Sequence, residues 1–291
     1  MPTYRQVIRQ YENRLAEKDR DSNVPKVLFY HFAHKEPHQL YLMMDEEVDA
    51  DLLAQFEEAM DLYMQGYPVQ YIKGVETFFG RDFVVNDKVL IPRYETEELV
   101  ENILYHIDDY FDGDQPLDLV DVGTGSGAIA ISLEREESRL RVYATDISEE
   151  ALEVARENAQ RLGAEVTFMQ GDMLAPLIEK GLKFDIFVSN PPYIPVNQEI
   201  EHVVKDNEPH VALFGGQDGL YFYRQIFQSV SKVLKDRAIL AFEMGYDQRE
   251  AMEKEVRHYF PEDDFVILKD MNGKDRMLFI YHGMPKIDNH K

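Results

Sequence analysis

The sequence predicts an α/β fold of the Rossmann-like type, with a mostly parallel sheet of seven strands and a small helical bundle at the N-terminus. Short apolar runs alternate with amphipathic helical segments over residues 117–242, which is typical of βαβ units. The glycine-rich stretch 123–127 separates the first of these strands from a helix. The last two strands, 265–268 and 277–281, flank an Asn272-Gly273 turn, and we expect them to be antiparallel.

The N-terminal part of the chain is expected to form the helical bundle. Apolar residues recur at helical spacing over 4–15, a second apolar stretch covers 24–32, and a third helix over 52–63 is closed by Gly66. A bundle of this size is near the lower limit of a domain and leaves no room for catalysis by its own residues. Recognition of a partner and packing against the main domain both remain open as its role.

A β-hairpin is expected to connect this bundle to the main domain. Residues 78–85 and 89–91 are predicted as its two strands, with a turn at Asn86-Asp87. The domains that these boundaries predict are a helical recognition domain over 1–73, a hairpin linker over 74–92 and the main α/β domain over 93–291.

The main domain is expected to alternate strands and helices. The segment 128–133 begins one helix directly after the glycine-rich stretch. Ser148 caps a second helix, which Gly163 closes. The predicted strands of the parallel part are 117–122, 141–145, 166–169, 184–188 and 238–242.

The composition is that of a globular protein without disulfides. The chain has 291 residues, 44% of them hydrophobic, and no cysteine, so disulfides, thiolate metal sites and cysteine nucleophiles are excluded. No apolar run approaches the length of a membrane span, and a cytoplasmic location is the simplest expectation. The net charge of −24 repels phosphate backbones, which disfavours a nucleic-acid substrate without excluding one.

The stretch from Asp121 to Gly127 predicts a binding site for an adenosine-containing cofactor. Glycines between a strand and a helix let a ligand approach the backbone closely. Gly123, Gly125 and Ala128 fit the dinucleotide fingerprint, and Asp146 ends the next strand, where an acidic residue holds ribose hydroxyls. These features do not separate a nicotinamide cofactor from S-adenosylmethionine, because both carry adenosine.

Three details favour S-adenosylmethionine. The carboxylate of Asp121 beside the loop suits the ammonium of an amino acid and sits badly beside a pyrophosphate. Asp172 ends the third strand, where it can accept a hydrogen bond from the adenine amino group. The sheet also ends in an antiparallel hairpin rather than in a second βαβ half. A cap or turn role is the alternative for Asp146 or Asp172 alone, but the set at successive strand ends is more specific.

The corner Asn190-Pro191-Pro192-Tyr193 is the strongest functional signal in the chain. It follows the apolar strand 184–189, at the edge where open α/β sheets bind ligands. Two successive prolines cannot continue a strand, so the chain forms a stiff corner there. The Asn190 side chain, the free carbonyls and the Tyr193 ring together suit a planar group that carries an NH₂. An ordinary strand-ending turn is the alternative.

These motifs carry a resemblance to a known family. The chain resembles class I S-adenosylmethionine-dependent methyltransferases that have Asn-Pro-Pro-Tyr after the fourth strand and methylate exocyclic or amide nitrogens. Among these it is similar to the HemK/PrmC family of peptide-chain release factor glutamine N5-methyltransferases. The matching segments are 71–74, 90–93, 95–97, 121–127, Asp146, 190–193, 212–216, 218–220, 243–245, 269–270 and Gly273. Tyr94 departs from the family pattern, which usually has proline there.

The resemblance implies a role for each motif. Asn190, Pro191, Pro192 and Tyr193 would hold the substrate amide as the catalytic residues. Asp146 would bind the ribose hydroxyls, no metal would be needed, and the glycine loop would cradle the methionine end. The cofactor-binding residues that it implies are Asp121, Gly123, Thr124, Gly125, Ser126, Gly127, Asp146, Asp172, Met173 and Asn190.

The resemblance also implies an activity, which is methylation of the glutamine side chain in the Gly-Gly-Gln motif of peptide-chain release factors. The helical domain would recognise that partner, and a monomer is the default expectation. A DNA adenine N6-methyltransferase shares the Asn-Pro-Pro-Tyr corner and flips its base into a similar pocket. A ribosomal-protein glutamine methyltransferase and a binding module without transfer are further alternatives.

Three remaining features are interpreted without a functional role. The histidines within 31–38 are predicted to be solvated surface residues rather than metal ligands. The glutamates within 95–98 suit the dipole of a helix N-terminus, with substrate contact left open. The tripeptide Gly215-Gly216-Gln217 reproduces the substrate motif by chance.

Overall fold

A computed structural model describes residues 1–284. The chain divides into two compact units. The first consists of Met1–Val75 and the short segment Glu201–Asn207, and the second of Glu76–Ile200 and the chain from Glu208 onward. Most of the predicted linker therefore belongs to the second unit. The return of 201–207 to the first unit has no counterpart in the predicted boundaries, because it follows from tertiary contacts.

The described residues form α-helices and β-strands in alternating groups. The helices are α1 (Tyr4–Ala16), α2 (Val24–Phe32), α3 (Pro37–Leu42), α4 (Ala50–Gln65), α5 (Val69–Lys73), α6 (Tyr94–Tyr110), α7 (Ala128–Glu136), α8 (Glu149–Leu162), α9 (Ala175–Glu179), α10 (His202–Asn207), α11 (Tyr221–Phe227) and α12 (Arg249–Tyr259). The strands are β1 (Val75–Phe78), β2 (Arg81–Val84), β3 (Leu117–Val122), β4 (Leu140–Asp146), β5 (Val166–Gln170), β6 (Phe184–Ser189), β7 (Leu234–Glu243), β8 (Asp264–Lys269) and β9 (Asp275–His282). None of the helices in this part of the chain has the length and apolar character needed to cross a bilayer.

The first unit is built around aromatic residues of its helices. The ring of Phe29 on α2 stacks on that of Phe56 on α4 at a centroid distance of 3.9 Å. The three predicted helices are confirmed, and Gly66 ends α4 in a left-handed conformation. The short helices α3 and α5 were not predicted, because one turn of helix carries too few apolar residues to show a period. Pro37, in the first turn of α3, begins that helix rather than interrupting one.

The predicted hairpin turn at Asn86-Asp87 is wrong. The hairpin consists of β1 and β2, and its turn lies at Phe79-Gly80, where both residues have positive φ. Two-residue hairpin turns need positive φ at both central positions, and glycine supplies one of them without strain. Residues 89–91, predicted as a strand, are a loop. The apolar side chains of Val89 and Ile91 are buried, but the backbone of this loop does not pair as a strand.

The main sheet confirms the predicted seven strands. Its order is β5-β4-β3-β6-β7-β9-β8. The first five of these are parallel, and the last two pair antiparallel at one edge. Because β4 and β6 flank β3, the chain reverses its direction of winding there. This is the switch point at which open α/β sheets bind ligands.

Helices cover both faces of this sheet, so its central strands are buried on both sides. Helices α6, α7 and α8 pack on one face together with the hairpin, and α9, α11 and α12 pack on the other. Neighbouring residues of β3 divide between the two cores, with Leu119 on the first face and Val120 on the second. The packed layers hold the carboxyl ends of β3, β4 and β6 at one edge.

Candidate active site

A cavity of about 220 Å³ lies at this edge of the sheet. The last residues of β3, β4 and β6 contribute to its wall. The predicted site residues that line the cavity are Gly123, Gly125, Asp146, Asp172, Met173, Asn190, Pro191 and Pro192. Those that do not line it are Asp121, Thr124, Ser126, Gly127 and Tyr193. The predicted residues therefore divide into a set that lines the cavity and a set that lies behind its wall.

The glycine loop turns its open face to the cavity. The amides of Gly123 and Thr124 donate to the Thr145 carbonyl at 2.8 and 3.0 Å. Gly123 and Gly125 have positive φ, and a Cβ built on either would meet no atom within 4 Å. Gly127 differs, because its Cβ would lie 2.8 Å from the Ile131 side chain. Gly123 and Gly125 thus leave space for a ligand, whereas Gly127 permits helix packing.

Asp146 lies between the glycine loop and the start of α8. Its carboxylate accepts hydrogen bonds from the backbone amides of Gly125 at 2.9 Å and Ser148 at 3.0 Å. A carboxylate has about four acceptor sites, so acceptor capacity remains for a hydroxyl donor. Burial raises the pKa of Asp146 above its ordinary value, and the backbone hydrogen bonds act against that rise. This geometry suits the neighbouring hydroxyls of a ribose.

Asp121 is buried beneath the loop instead of standing beside it. The Thr124 hydroxyl donates to its Oδ2 atom at 2.7 Å, and its buried Oδ1 atom has no hydrogen-bond partner of normal geometry among residues 1–284. Burial raises the pKa of Asp121 to about 7, although the Thr124 hydrogen bond acts in the opposite direction. A carboxylate in this position gains from a positive charge brought to the loop.

Asn190 is anchored through its amide nitrogen. Its Nδ2 atom donates to the Thr96 hydroxyl oxygen at 3.4 Å, and the Thr96 hydroxyl donates to Glu243 Oε2 at 2.6 Å. Thr96 and Glu243 are both buried. The sequence did not reveal this link, because the three residues belong to α6, the end of β7 and the corner after β6.

Tyr193 is anchored to the same carboxylate. Its hydroxyl donates to Glu243 Oε1 at 3.2 Å. Burial raises the pKa of Tyr193 above its ordinary value, and the neighbouring Glu243 charge adds to that rise. Tyr193 therefore remains protonated at neutral pH. The predicted stacking of its ring on a substrate amide stays a prediction.

The backbone of the corner is held by close contacts with the 213–219 segment. The Ile194 amide donates to the Leu213 carbonyl at 3.1 Å, and the Gly215 amide donates to the Ile194 carbonyl at 2.8 Å. A Cβ on Gly215 would lie 2.4 Å from the Pro192 carbonyl oxygen. Gly215 thus has a structural role of its own, which agrees with reading the Gly-Gly-Gln tripeptide as chance.

A wall of the cavity that the sequence did not predict comes from two loops. Lys88–Leu90 line it from one side, and Pro209, Val211 and Ala212 line it from another. The buried carboxylate of Glu208 joins these loops, because it accepts from the Ile91 amide at 3.2 Å and from Arg93 Nη2 at 2.5 Å. The segment 90–93, which resembles the family pattern, could have indicated this wall of the cavity. Glu208 belongs to no motif in the sequence, so its role could not be predicted.

Two of the glutamates at the start of α6 make structural contacts. Glu97 accepts from the Phe79 amide at 2.9 Å, and the Glu98 carboxylate accepts from the Met271 amide at 3.0 Å. Tyr94, which departs from the family pattern, is the first residue of α6, a position where proline is favoured but not required. In the described chain no cluster of three or more His, Asp or Glu side chains is arranged to hold a metal ion.

The residues of the cavity fit S-adenosylmethionine. The loop offers open space over Gly123 and Gly125, and Asp146 keeps acceptor capacity for a ribose. The Oδ1 atom of Asp121 behind the loop has no hydrogen-bond partner of normal geometry among the described residues. An ammonium brought to the loop would favour the ionised form of this carboxyl group, whereas a pyrophosphate would oppose it.

We expect Asp146→Ala to weaken binding of the cofactor product S-adenosylhomocysteine about 10- to 100-fold, because two charge-assisted hydrogen bonds to ribose are lost. Isothermal titration calorimetry measures this affinity. The matched control is Asp114→Ala, since Asp114 is exposed and does not line the cavity. An unchanged affinity in the Asp146 variant would show that the ribose binds elsewhere.

We also expect S-adenosylhomocysteine to bind more tightly as the pH rises from 6 to about 7.5. The ligand ammonium favours ionised Asp121, whose pKa of about 7 in the free protein leaves it largely protonated at pH 6. At still higher pH the affinity should fall again, once the α-amino group of the ligand loses its proton. Asp121→Asn should remove the rise and keep the fall, and a rise that persists in this variant would exclude Asp121 as its source.

Comparison with known proteins gives consistent matches over both units. A family model described as "Methyltransferase domain" matches residues 114–274, and one described as "PrmC N-terminal domain" matches residues 6–74. A release factor glutamine methyltransferase of Bacillus anthracis is 46% identical over 267 residues, which are 91% of this chain and 94% of that protein. The protein of the same name from Bacillus subtilis is 42% identical and covers 96% of this chain and 97% of its own.

The solved structures agree with the fold. The crystal structure of a methyltransferase from Pyrococcus furiosus has a TM-score of 0.51 and 16% sequence identity. The match covers 81% of this chain and 100% of that chain. At this identity the likeness bears on the fold alone.

Proposed function

We propose an activity for a chain that belongs to the release factor glutamine methyltransferase family. The chain is an S-adenosylmethionine-dependent methyltransferase, and its substrate is the side-chain amide of a glutamine in a release factor. The site that performs the transfer is the cavity at the switch point, with Asn190, Pro191, Pro192 and Tyr193 at the substrate end. The glutamine is the one in the Gly-Gly-Gln motif.

The observation that carries this proposal is the orientation of Asn190. Its amide nitrogen is used by Thr96, so its oxygen is available to an incoming donor. Among the described residues no backbone N–H donates to the Pro191 carbonyl. Asn190 and Pro191 both line the cavity, and the two acceptors that they offer match in number the two N–H bonds of a primary amide. A hydroxyl or a carboxylate substrate would not satisfy both.

The chemistry of an amide explains why positioning matters. Its nitrogen is a poor nucleophile, because the lone pair is delocalised into the carbonyl. S-adenosylmethionine, when bound, supplies an electrophilic methyl group on a sulfonium. Asn190 Oδ1 and the Pro191 carbonyl hold both N–H bonds and so turn the nitrogen towards that methyl group. The bond between the methyl group and sulfur would break as the bond to nitrogen forms, with S-adenosylhomocysteine as the leaving group. The nitrogen would release one proton to water, so the corner needs no base to begin the transfer.

We propose that residues 1–73 recognise the release factor. This part of the chain has its own aromatic core, and none of its residues lines the cavity. A separate unit that is not needed for cofactor binding suits the recognition of a protein substrate. A release factor as substrate also favours action in the cytoplasm.

Methyl transfer from labelled S-adenosylmethionine to three substrates tests the proposed function. They are a release factor with its Gly-Gly-Gln loop, the same factor with the glutamine changed to alanine, and duplex DNA. We expect label on the intact factor alone. Label on DNA would support an adenine methyltransferase, and equal label on both protein forms would place the methyl group on another residue.

A further inference from the structure

The hydroxyl of Thr96 occupies a buried position between the catalytic asparagine and an acidic side chain. Thr96 is 4% exposed and Glu243 is 2% exposed. The Thr96 oxygen lies 2.6 Å from Glu243 Oε2 and 3.4 Å from Asn190 Nδ2. The Thr96 hydroxyl therefore donates one hydrogen bond, to Glu243, and accepts another, from Asn190.

A count of protons fixes the direction of each hydrogen bond. A threonine hydroxyl has a single proton, and an ionised carboxylate can only accept. The Thr96 proton is used by Glu243, so towards Asn190 the same oxygen can act only as an acceptor. The Asn190 side chain must then present its NH₂ group to Thr96.

Glu243 accepts a second hydrogen bond on its other oxygen, where the Tyr193 hydroxyl donates at 3.2 Å. Burial raises the pKa of Glu243 above its ordinary value, and the hydrogen bonds from Thr96 and Tyr193 and the positive charge of Arg276 act against that rise. Arg276 is in turn fixed by Asp270, with its Nε atom 3.2 Å from Asp270 Oδ2.

We propose that Thr96 and Glu243 are positioning residues that set the orientation of the Asn190 amide, a role that rests on the proposed function. An asparagine amide has nearly the same shape when rotated by half a turn, but its donor and acceptor then exchange places. In the wrong orientation the NH₂ group of Asn190 would face the N–H bonds of the substrate. Thr96 makes that orientation unfavourable, because its oxygen can then find no donor on Asn190.

The pair Thr96→Val and Thr96→Ser isolates the hydroxyl. Valine keeps the branched shape and removes the donor and acceptor, whereas serine keeps both. We expect Thr96→Val to lower kcat about 10- to 100-fold, the loss typical of a misplaced reacting group, with the KM of the release factor nearly unchanged. Thr96→Ser should recover most of the wild-type kcat, and both variants should bind S-adenosylhomocysteine as the wild type does.

A merely structural role predicts a different pattern. The valine variant loses some stability on either account, because Glu243 Oε2 loses its donor. If the hydroxyl had a structural role alone, kcat per folded molecule would stay at the wild-type value in both variants. The pair Thr96→Ala and Thr96→Ser serves the same purpose if the valine variant does not fold. A valine variant with wild-type kcat, or equal losses in valine and serine, would overturn the proposal.

A spectroscopic measurement separates this inference from the proposed function. In protein with ¹⁵N-labelled asparagine, the Asn190 side-chain NH₂ signals are identified by their loss in Asn190→Ala. We expect them to shift in Thr96→Val and to stay near the wild-type position in Thr96→Ser. Signals that do not move in the valine variant would refute the orienting role. Absence of methyl transfer by the wild type would instead refute the proposed function, and the NH₂ comparison would still decide the orientation.

Discussion

The Asn190→Ala variant is expected to transfer methyl groups roughly 100- to 10,000-fold more slowly than the wild type, the range seen when a positioning group for a reacting atom is lost. The substrate nitrogen loses one of its two acceptors and no longer points its lone pair at the methyl group. The effect should fall mainly on kcat, because the proposed contacts of the release factor with residues 1–73 are not changed. Single-turnover measurement of transfer to a release factor gives this rate directly.

The control for Asn190→Ala is Asn197→Ala. Asn197 is exposed, follows the corner by a few residues and does not line the cavity. We expect it to keep the wild-type kcat. Thermal unfolding should show that both variants are folded. A kcat for the Asn190 variant within a few-fold of the wild type would refute the positioning mechanism.

The Gly215→Ala variant is expected to displace the backbone of the Asn190–Tyr193 corner. The added Cβ would lie 2.4 Å from the Pro192 oxygen and 2.9 Å from the Tyr193 Cα, so the backbone must move. Such overpacking costs about 1–3 kcal/mol of stability. Since displacement of a reacting group by about 1 Å costs about 100-fold in rate, we expect a similar loss of kcat. Chemical denaturation and initial rates measure the two effects.

Gly181→Ala is the matched control for this glycine. Gly181 has a φ of 64° but open space around its Cβ position, so alanine there introduces backbone strain without a clash. We expect a stability loss of about 1 kcal/mol and an unchanged kcat. If Gly215→Ala behaved in the same way as Gly181→Ala, the close contact with Pro192 would have no bearing on catalysis.

The sequence was sufficient to predict which of the candidate site residues meet at one edge of the sheet. Parallel strands bring their carboxyl ends together, so Gly123, Asp146 and Asn190 had to lie near one another once their strands were recognised. The antiparallel hairpin followed from the Asn272-Gly273 turn in the same way. These inferences use the order of strands along the chain and need no knowledge of side-chain contacts.

The buried side-chain contacts that hold the site residues in place could not be predicted in this way. Thr96 and Glu243 lie about 150 positions apart and meet only because α6 packs beside the end of β7. The inward position of Asp121 depends on the loop conformation, which a sequence pattern does not specify. The hairpin turn was misplaced because Asn86-Asp87 is a stronger local turn signal than Phe79-Gly80. In each case tertiary packing decided between local alternatives.

The most direct test of the central claim is fragment-ion mass spectrometry of a release factor after reaction with the wild-type protein and S-adenosylmethionine. We predict one added methyl group, located on the side-chain amide nitrogen of the glutamine in the Gly-Gly-Gln motif, and at least about 100-fold less of it with Asn190→Ala at a reaction time within the initial linear phase of the wild type. A methyl group on any other residue, or an equal amount with Asn190→Ala at that time, would contradict the account.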